Sequence, residues 1–285
     1  MLEVRNTNTC TLRRLFSHYH YQVSVSSVLD GRLRGSVYVD DVEEPKTGLM
    51  MTTEGAFLAG DPENVEFNAD LSEYLEDIIQ TGRHPVVPKS DDLWFYIDSD
   101  EWKTSFPWIF TSRDPFKVGR IQYSCKKPAY DWRKNIKEGY AIHRADRTLD
   151  TDSLVYPKDV WEWVGDRLDE LLERGFGAVL MKGDEVISWS NADCASGDRC
   201  EIGIITTERE RRKGFGSLTA TAALDFCFQS GFKEVGWHCE AHNWGSIATA
   251  VKIGFKKKTD YYMWICKFDL EQHLKEKPIV EKYYP

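Results

Sequence analysis

The chain has 285 residues, 41% hydrophobic and 29% charged, ordinary proportions for a globular protein with enough chain for one large core or two modest ones. Its formal net charge of −9 argues against non-specific nucleic-acid or anionic-membrane binding, which needs clustered Lys and Arg. The 7 cysteines, odd in number and without C-x-x-C spacing, point to neither a disulfide framework nor a zinc site, and no segment approaches the roughly 18 apolar residues of a membrane helix, so a soluble, cytoplasmic protein with reduced thiols is expected.

In the first half, residues 35–40 alternate as a strand, continued by 47–51 and 56–58 before Gly60-Asp61-Pro62 stops the pattern. Leu71, Tyr74, Leu75, Ile78 and Ile79 recur at helical spacing, and Gly82 closes that helix. The aromatic-rich stretch 94–110 reads as core before it reads as a binding groove. Residues 38–101 hold 17 Asp/Glu against 3 Lys/Arg, and residues 102–137 reverse this with 9 Lys/Arg against 2 acids. Solvated faces account for such runs; an acidic wall that draws in a cationic amine is the sharper alternative. The polar run 134–139, followed by a fresh strand at 140–142, places a domain boundary between 137 and 138, giving an N-terminal α/β domain 1–137 and a second domain 138–285.

The second half has a clear rhythm. Val160, Val164, Leu168, Leu171 and Leu172 mark one helix face that stops at Gly175. Residues 178–181 and 185–189 form strands about a tight turn at 182–184. A strand at 200–206, a helix at 214–230, a strand at 235–241, a short helix at 246–253 and a last strand at 261–268 complete an α/β sheet with helices on its faces.

The strongest chemical signal is Arg211-Arg212-Lys213-Gly214-Phe215-Gly216-Ser217, between an apolar strand and an apolar helix. Glycines here let backbone N–H groups approach a diphosphate at a helix N-terminus, beside three basic side chains. A Walker loop fails because Leu218 follows Ser217, and a dinucleotide fingerprint fails because position 219 is Thr. The segment resembles the R/Q-x-x-G-x-G/A loop of the GNAT acetyltransferase superfamily. Asn243-Trp244-Gly245-Ser246, leading to Lys252-Ile253-Gly254-Phe255, resembles that superfamily's N-x-x-S/A…K-x-G-F segment; capping explains either end alone, but not both motifs in this order after a β-α-β unit. The resemblance covers residues 138–269 and implies a mixed, mostly antiparallel sheet flanked by helices. In the first half, Val28-Leu29-Asp30-Gly31, the run 35–41 and Pro45 resemble the two-part bacterial GNAT family that includes zwittermicin A resistance proteins. That likeness implies a smaller, degenerate GNAT-like unit without a cofactor loop, shaping the acceptor site.

The resemblance implies acetyl-CoA as acyl donor, held by the strand end Ile204, Ile205 and Thr206, by Arg211, Arg212, Lys213, Gly214, Phe215, Gly216 and Ser217, and by Asn243 and Ser246. It implies a base at Glu201, ten residues before Arg211, with His238 on the next strand as the alternative. The tyrosine that many members place on the last short helix is Ala250 here, so either Tyr261, Tyr262 or water protonates the thiolate, or CoA leaves as the thiolate. No metal is implied, since the histidines show no ligand spacing. The expected activity is acetyl transfer to a primary amine in a ternary complex, the acceptor being a small cationic amine or amine-containing antibiotic. A non-catalytic acyl-CoA-binding module and a peptide or protein N-acetyltransferase are the alternatives, and a homodimer stays open.

Overall fold

The computed structural model describes residues 1–6, 9–87 and 90–284. The chain divides into two compact units, Met1–Arg120 with Tyr261–Pro285, and Ile121–Asp260. The boundary expected at 137/138 falls inside the second unit, where the polar run 134–139 is a largely exposed connection. The units are nearly equal in length, because the chain returns to the first after Asp260.

In chain order the elements are β1 (Leu2–Glu3), α1 (Cys10–Leu15), α2 (Val23–Leu29), β2 (Ser36–Val39), β3 (Thr47–Thr52), β4 (Gly55–Gly60), α3 (Val65–Thr81), β5 (Asp92–Ile97), α4 (Phe106–Ile109) and β6 (Phe116–Cys125). There follow β7 (Tyr140–Ala145), α5 (Lys158–Val164), α6 (Leu168–Arg174), β8 (Gly177–Lys182), β9 (Glu185–Ser196), β10 (Arg199–Thr206), α7 (Phe215–Gln229), β11 (Glu234–Glu240), α8 (Trp244–Ile253), β12 (Lys256–Lys267) and α9 (Leu270–Val280).

In the first unit the strands lie in the order β1-β2-β3-β4-β5-β12. Pairing is antiparallel except between β4 and β5, which run parallel from Ala56↔Phe95 to Leu58↔Ile97. A parallel pair needs a crossover, and α3 supplies it. Phe67, Leu71, Leu75, Ile78 and Ile79 on α3 pack on Leu58, Phe95, Trp102 and Phe106. The helix begins earlier than its apolar spacing suggests, because the Asn64 side chain accepts from the Phe67 N–H at 3.1 Å and caps the first turn. Gly82 ends it in the left-handed region, φ +66°. Most of the aromatic stretch is core, although Trp108 is 77% exposed. The sequence did not announce α9, which exposes Leu270, Leu274 and Ile279 and buries only His273, so it lacks an apolar stripe.

In the second unit the order is β11-β10-β9-β8-β7, antiparallel except for β10 and β11. The crossover α7 is apolar nearly all round. Phe215, Leu218, Ala222 and Ala223 pack with Ala178, Leu180 and Ile187, whereas Ala220, Leu224 and Cys227 pack with Cys200 and Val235. The single helix read over 160–172 is two, α5 and α6, joined by a 3-10 turn at Gly165–Arg167. The Trp161 ring lies against Gly165, only 2.7 Å from where a Cβ would stand, and Arg167 reaches Asp193 at 3.2 Å.

Candidate functional site

The β10-α7-β11 crossover builds the site. Registered pairing of β10 with β11 covers Arg199↔Glu234, Cys200↔Val235 and Glu201↔Gly236, whereas pairing with β9 runs on to Thr206↔Ser188. The two parallel strands therefore part beyond Glu201. The parting opens a groove of about 600 Å³, a size that suits an extended small ligand. Ile204, Ile205 and Thr206 form one rim. The Thr206 hydroxyl lies 2.9 Å from the Ser188 hydroxyl, which fixes its rotamer at the strand end.

The next wall is the loop into α7. Gly214 takes φ +86° as the N-cap residue, and no side chain caps the helix. Its first-turn N–H groups thus remain available to a ligand. Arg212, at φ +61°, is the one non-glycine with positive φ among the described residues, a conformation that costs of order 1–3 kcal/mol and recurs at functional loops. Arg211, Arg212, Gly214, Gly216 and Ser217 all line the groove. The Arg211 Nε donates to the Thr206 carbonyl at 3.1 Å, which ties the loop to the strand end. Two residues of the loop are not in the groove. Phe215 is buried in the core, its ring 4.7 Å from that of Tyr140, and Lys213 pairs with Glu210 at 2.9 Å.

The far wall is α8. Asn243 Oδ1 accepts from the Ser246 N–H at 3.0 Å, and the Trp237 indole N–H donates to the Ser246 hydroxyl at 2.9 Å, so both predicted residues line the groove while holding the helix on β11. Sequence reasoning missed Trp237, Gly245, Ala248, Thr249 and Lys252, which complete the lining. For Gly245, Ala248, Thr249 and Lys252 the spacing along α8 was the available signal, since steps of three and four place them on one face, whereas Trp237 comes from β11. Ala250 lies on another face, fully buried with Trp237, Ile253 and Phe255.

Glu201 and His238, read from sequence as alternatives, stand together. His238 Nε2 is 3.0 Å from Glu201 Oε1, and the Cys194 thiol donates to Glu201 Oε2 at 3.1 Å. Glu201 is only 7% exposed. Its side chain lies over Gly236, where an added Cβ would come within 2.7 Å of Glu201 Cγ, so the absence of a side chain at 236 makes its place. A bulge falls where Glu201 faces Cys194 and Ile202 faces Ala192. The neighbouring Cys200 thiol is pushed far up by its hydrogen bond with Cys227 and then by burial, so it stays protonated and inert. Tyr262 belongs to the first unit, where it is exposed and has the Lys117 ammonium 5.0 Å from its ring centre. Among the described residues no three His, Cys, Asp or Glu side chains are grouped to hold a metal ion, and no helix is long and apolar enough to cross a membrane.

A parallel crossover whose strands part beside an uncapped, glycine-entered helix defines the class, and the comparisons agree. The family model described as GNAT acetyltransferase matches residues 13–264, and the chain belongs to that family. A curated relative from Bacillus subtilis (strain 168), "Uncharacterized N-acetyltransferase YdfB", is 25% identical over 263 residues, 92% of this chain and 97% of its own. This chain is accordingly an N-acetyltransferase. The GCN5-related N-acetyltransferase-like protein from Streptococcus suis 89/1591 shares the fold at TM-score 0.64 and 19% identity, over 89% of this chain and 96% of that one. A tandem GNAT protein from the clavulanic acid biosynthesis pathway superposes at TM-score 0.51 and 9% identity, over 94% of this chain and 98% of its own.

Proposed function

We propose that this enzyme binds acetyl-CoA in the second unit's groove and transfers its acetyl group directly to a primary amine. The observation that carries the reading is the junction of Gly214, the uncapped first turn of α7 and the parted ends of β10 and β11. Backbone N–H groups, with Arg211 and Arg212 beside them, suit a diphosphate, and the rim at Ile204 and Ile205 suits an extended thiol-bearing arm. Members of this family generally use the same donor.

In the reaction the amine nitrogen attacks the thioester carbonyl carbon, the N–C bond forms and the C–S bond breaks. A backbone N–H on the β10 rim stabilises the developing oxyanion. The proton shed by nitrogen passes to the Glu201–His238 pair, which shares it across 3.0 Å. Water relays it, because Glu201 is buried. Alanine at position 250 offers no hydroxyl, so the sulfur leaves as thiolate, which an ordinary thiol pKa of about 8.5 permits. The chain's net charge of −9 supports a small cationic amine as acceptor, since an acidic protein attracts cations.

Calorimetric titration of acetyl-CoA into the wild type and into Gly214→Glu tests this. A Cβ at Gly214 meets nothing within 4 Å, so the variant keeps its fold at a backbone cost of ~1–2 kcal/mol, and lost binding reads the ligand rather than the scaffold. Binding by the wild type and its loss in the variant is the expected result; equal binding by both would remove the diphosphate from this loop. Release of free thiol on mixing with spermidine, and none with an N-terminal peptide panel, would separate the small-amine acceptor from the peptide one.

A further inference from the structure

A second polar cluster lies wholly within the first unit, away from anything used above. Arg120 on β6 is only 8% exposed, and among the described residues no carboxylate lies within ion-pair distance of its guanidinium. Its Nε donates to the Tyr261 hydroxyl at 3.3 Å, a long bond for a charged donor, and its guanidinium carbon lies 5.7 Å from the centre of the Trp94 ring. Tyr261 in turn sits 5.3 Å from the Tyr21 ring and 6.0 Å from the Tyr96 ring. The Trp94 indole N–H is buried with no hydrogen-bond partner. A buried charge is normally paired, and a buried N–H normally bonded, so both departures in one cluster point to a missing acceptor.

The electrostatics select the acceptor's charge. Burial disfavours the charge on Arg120, but a guanidinium keeps its proton in proteins, and the group stays cationic. Burial, followed by the neighbouring Tyr261, pushes the Tyr21 phenol up, and burial does the same to Tyr96, so both keep their protons as neutral donors. With Glu54 already set against Arg120, the cluster suits at most one further negative charge, and a dianion would overload it. The rings of Trp94, Tyr21, Tyr96 and Tyr261, three of them only partly buried, supply an apolar wall with access to solvent.

We propose that Arg120, Trp94 and Tyr261 form a binding site for a small organic carboxylate, with the guanidinium and the indole N–H on its oxygens and the aromatic rings against its carbon body. The site is independent of the acetyl-CoA reading, and its failure would leave that reading untouched.

Phenylacetate, 2-phenylethylamine and inorganic phosphate, each titrated into the full chain by tryptophan fluorescence and by thermal shift, test the proposal. Phenylacetate is expected to bind saturably and to raise the midpoint, Arg120→Gln to weaken it about tenfold or more, and Trp94→Phe, which keeps an aromatic ring but loses the N–H, by ~3–5-fold. Should Arg120→Gln fail to fold, Trp94→Phe reads the same contact. No saturation by phenylacetate, unchanged affinity in the folded variants, or tighter binding of the amine or of phosphate overturns the proposal.

Discussion

The helices α3 and α7 each follow an antiparallel run of strands into a parallel crossover, yet their first turns are finished in opposite ways. At α3 the protein supplies its own partners. Asn64 caps the Phe67 N–H, its amide donates to Asp40 at 3.0 Å and Thr47 at 3.2 Å, and the Gly60 N–H goes to Asp98 at 2.8 Å. Glu66 sits in the first turn, with Asp61 and Glu63 just before it. At α7 no side chain caps the helix, no acid lies in the first turn, and Arg211 and Arg212 precede it. An anion is favoured at one helix and repelled at the other, although the crossover is the same. Pairing tells the same story. In β4 and β5 the Leu58 carbonyl at the last registered pair is held by the Tyr19 hydroxyl, whereas β10 and β11 part beyond Glu201. The lesson is that a shared architecture leaves function to a few residues at a helix entrance.

Substitutions that equalise the two crossovers sharpen this contrast. Glu201→Gln should act most strongly, lowering kcat by ~10²–10³-fold with acetyl-CoA affinity unchanged, as stopped-time thiol release and calorimetry would show. Full activity in that variant would move the base elsewhere. Gly214→Glu makes the entrance of α7 acidic like that of α3, and acetyl-CoA affinity should fall about 100-fold, roughly the value of two lost charge-assisted bonds. Gly236→Ala puts a Cβ within 2.7 Å of Glu201 Cγ, and the displaced carboxylate should cost about tenfold in kcat with near-normal donor binding. A fall in acetyl-CoA affinity of the same size would show instead that the strand splay had shifted. Asn64→Ala has the smallest expected effect: about 1 kcal/mol of stability, read as a lower Tm, and no change in acetyl-CoA affinity. Donor affinity gained or lost there would mean that α3 is not closed.

Much of the groove's lining was legible because it is local in sequence. Arg211 to Ser217 is contiguous, and a glycine needing φ +86° at a helix entrance leaves a plain mark. Side-chain direction in the loop was not legible, because packing decides it: the Phe215 ring turns into the core and the Lys213 ammonium toward Glu210. The Glu201–His238 contact was not legible at all, since it depends on strand register and on Gly236 being bare beneath Glu201. The break at Gly165–Arg167 was hidden for a related reason, because the apolar spacing of Val160 to Leu172 runs through it unbroken. Arg120 gave no sequence signal, being one of nine basic residues in 102–137 that look solvated until their burial is known.

The chain's passage out of the first unit at Arg120 and back at Tyr261 also sets an order in time. During synthesis the second unit is a continuous stretch and can fold as soon as it has emerged. The first unit must wait for its final strand, for α9, and for Tyr284, whose ring packs against Gly119. A chain whose residues 261–285 have not yet paired would therefore carry a folded second unit ahead of an open N-terminal sheet whose β5 edge awaits β12. That interval is when the protein is most exposed to strand-edge aggregation, and chaperone occupancy should peak there.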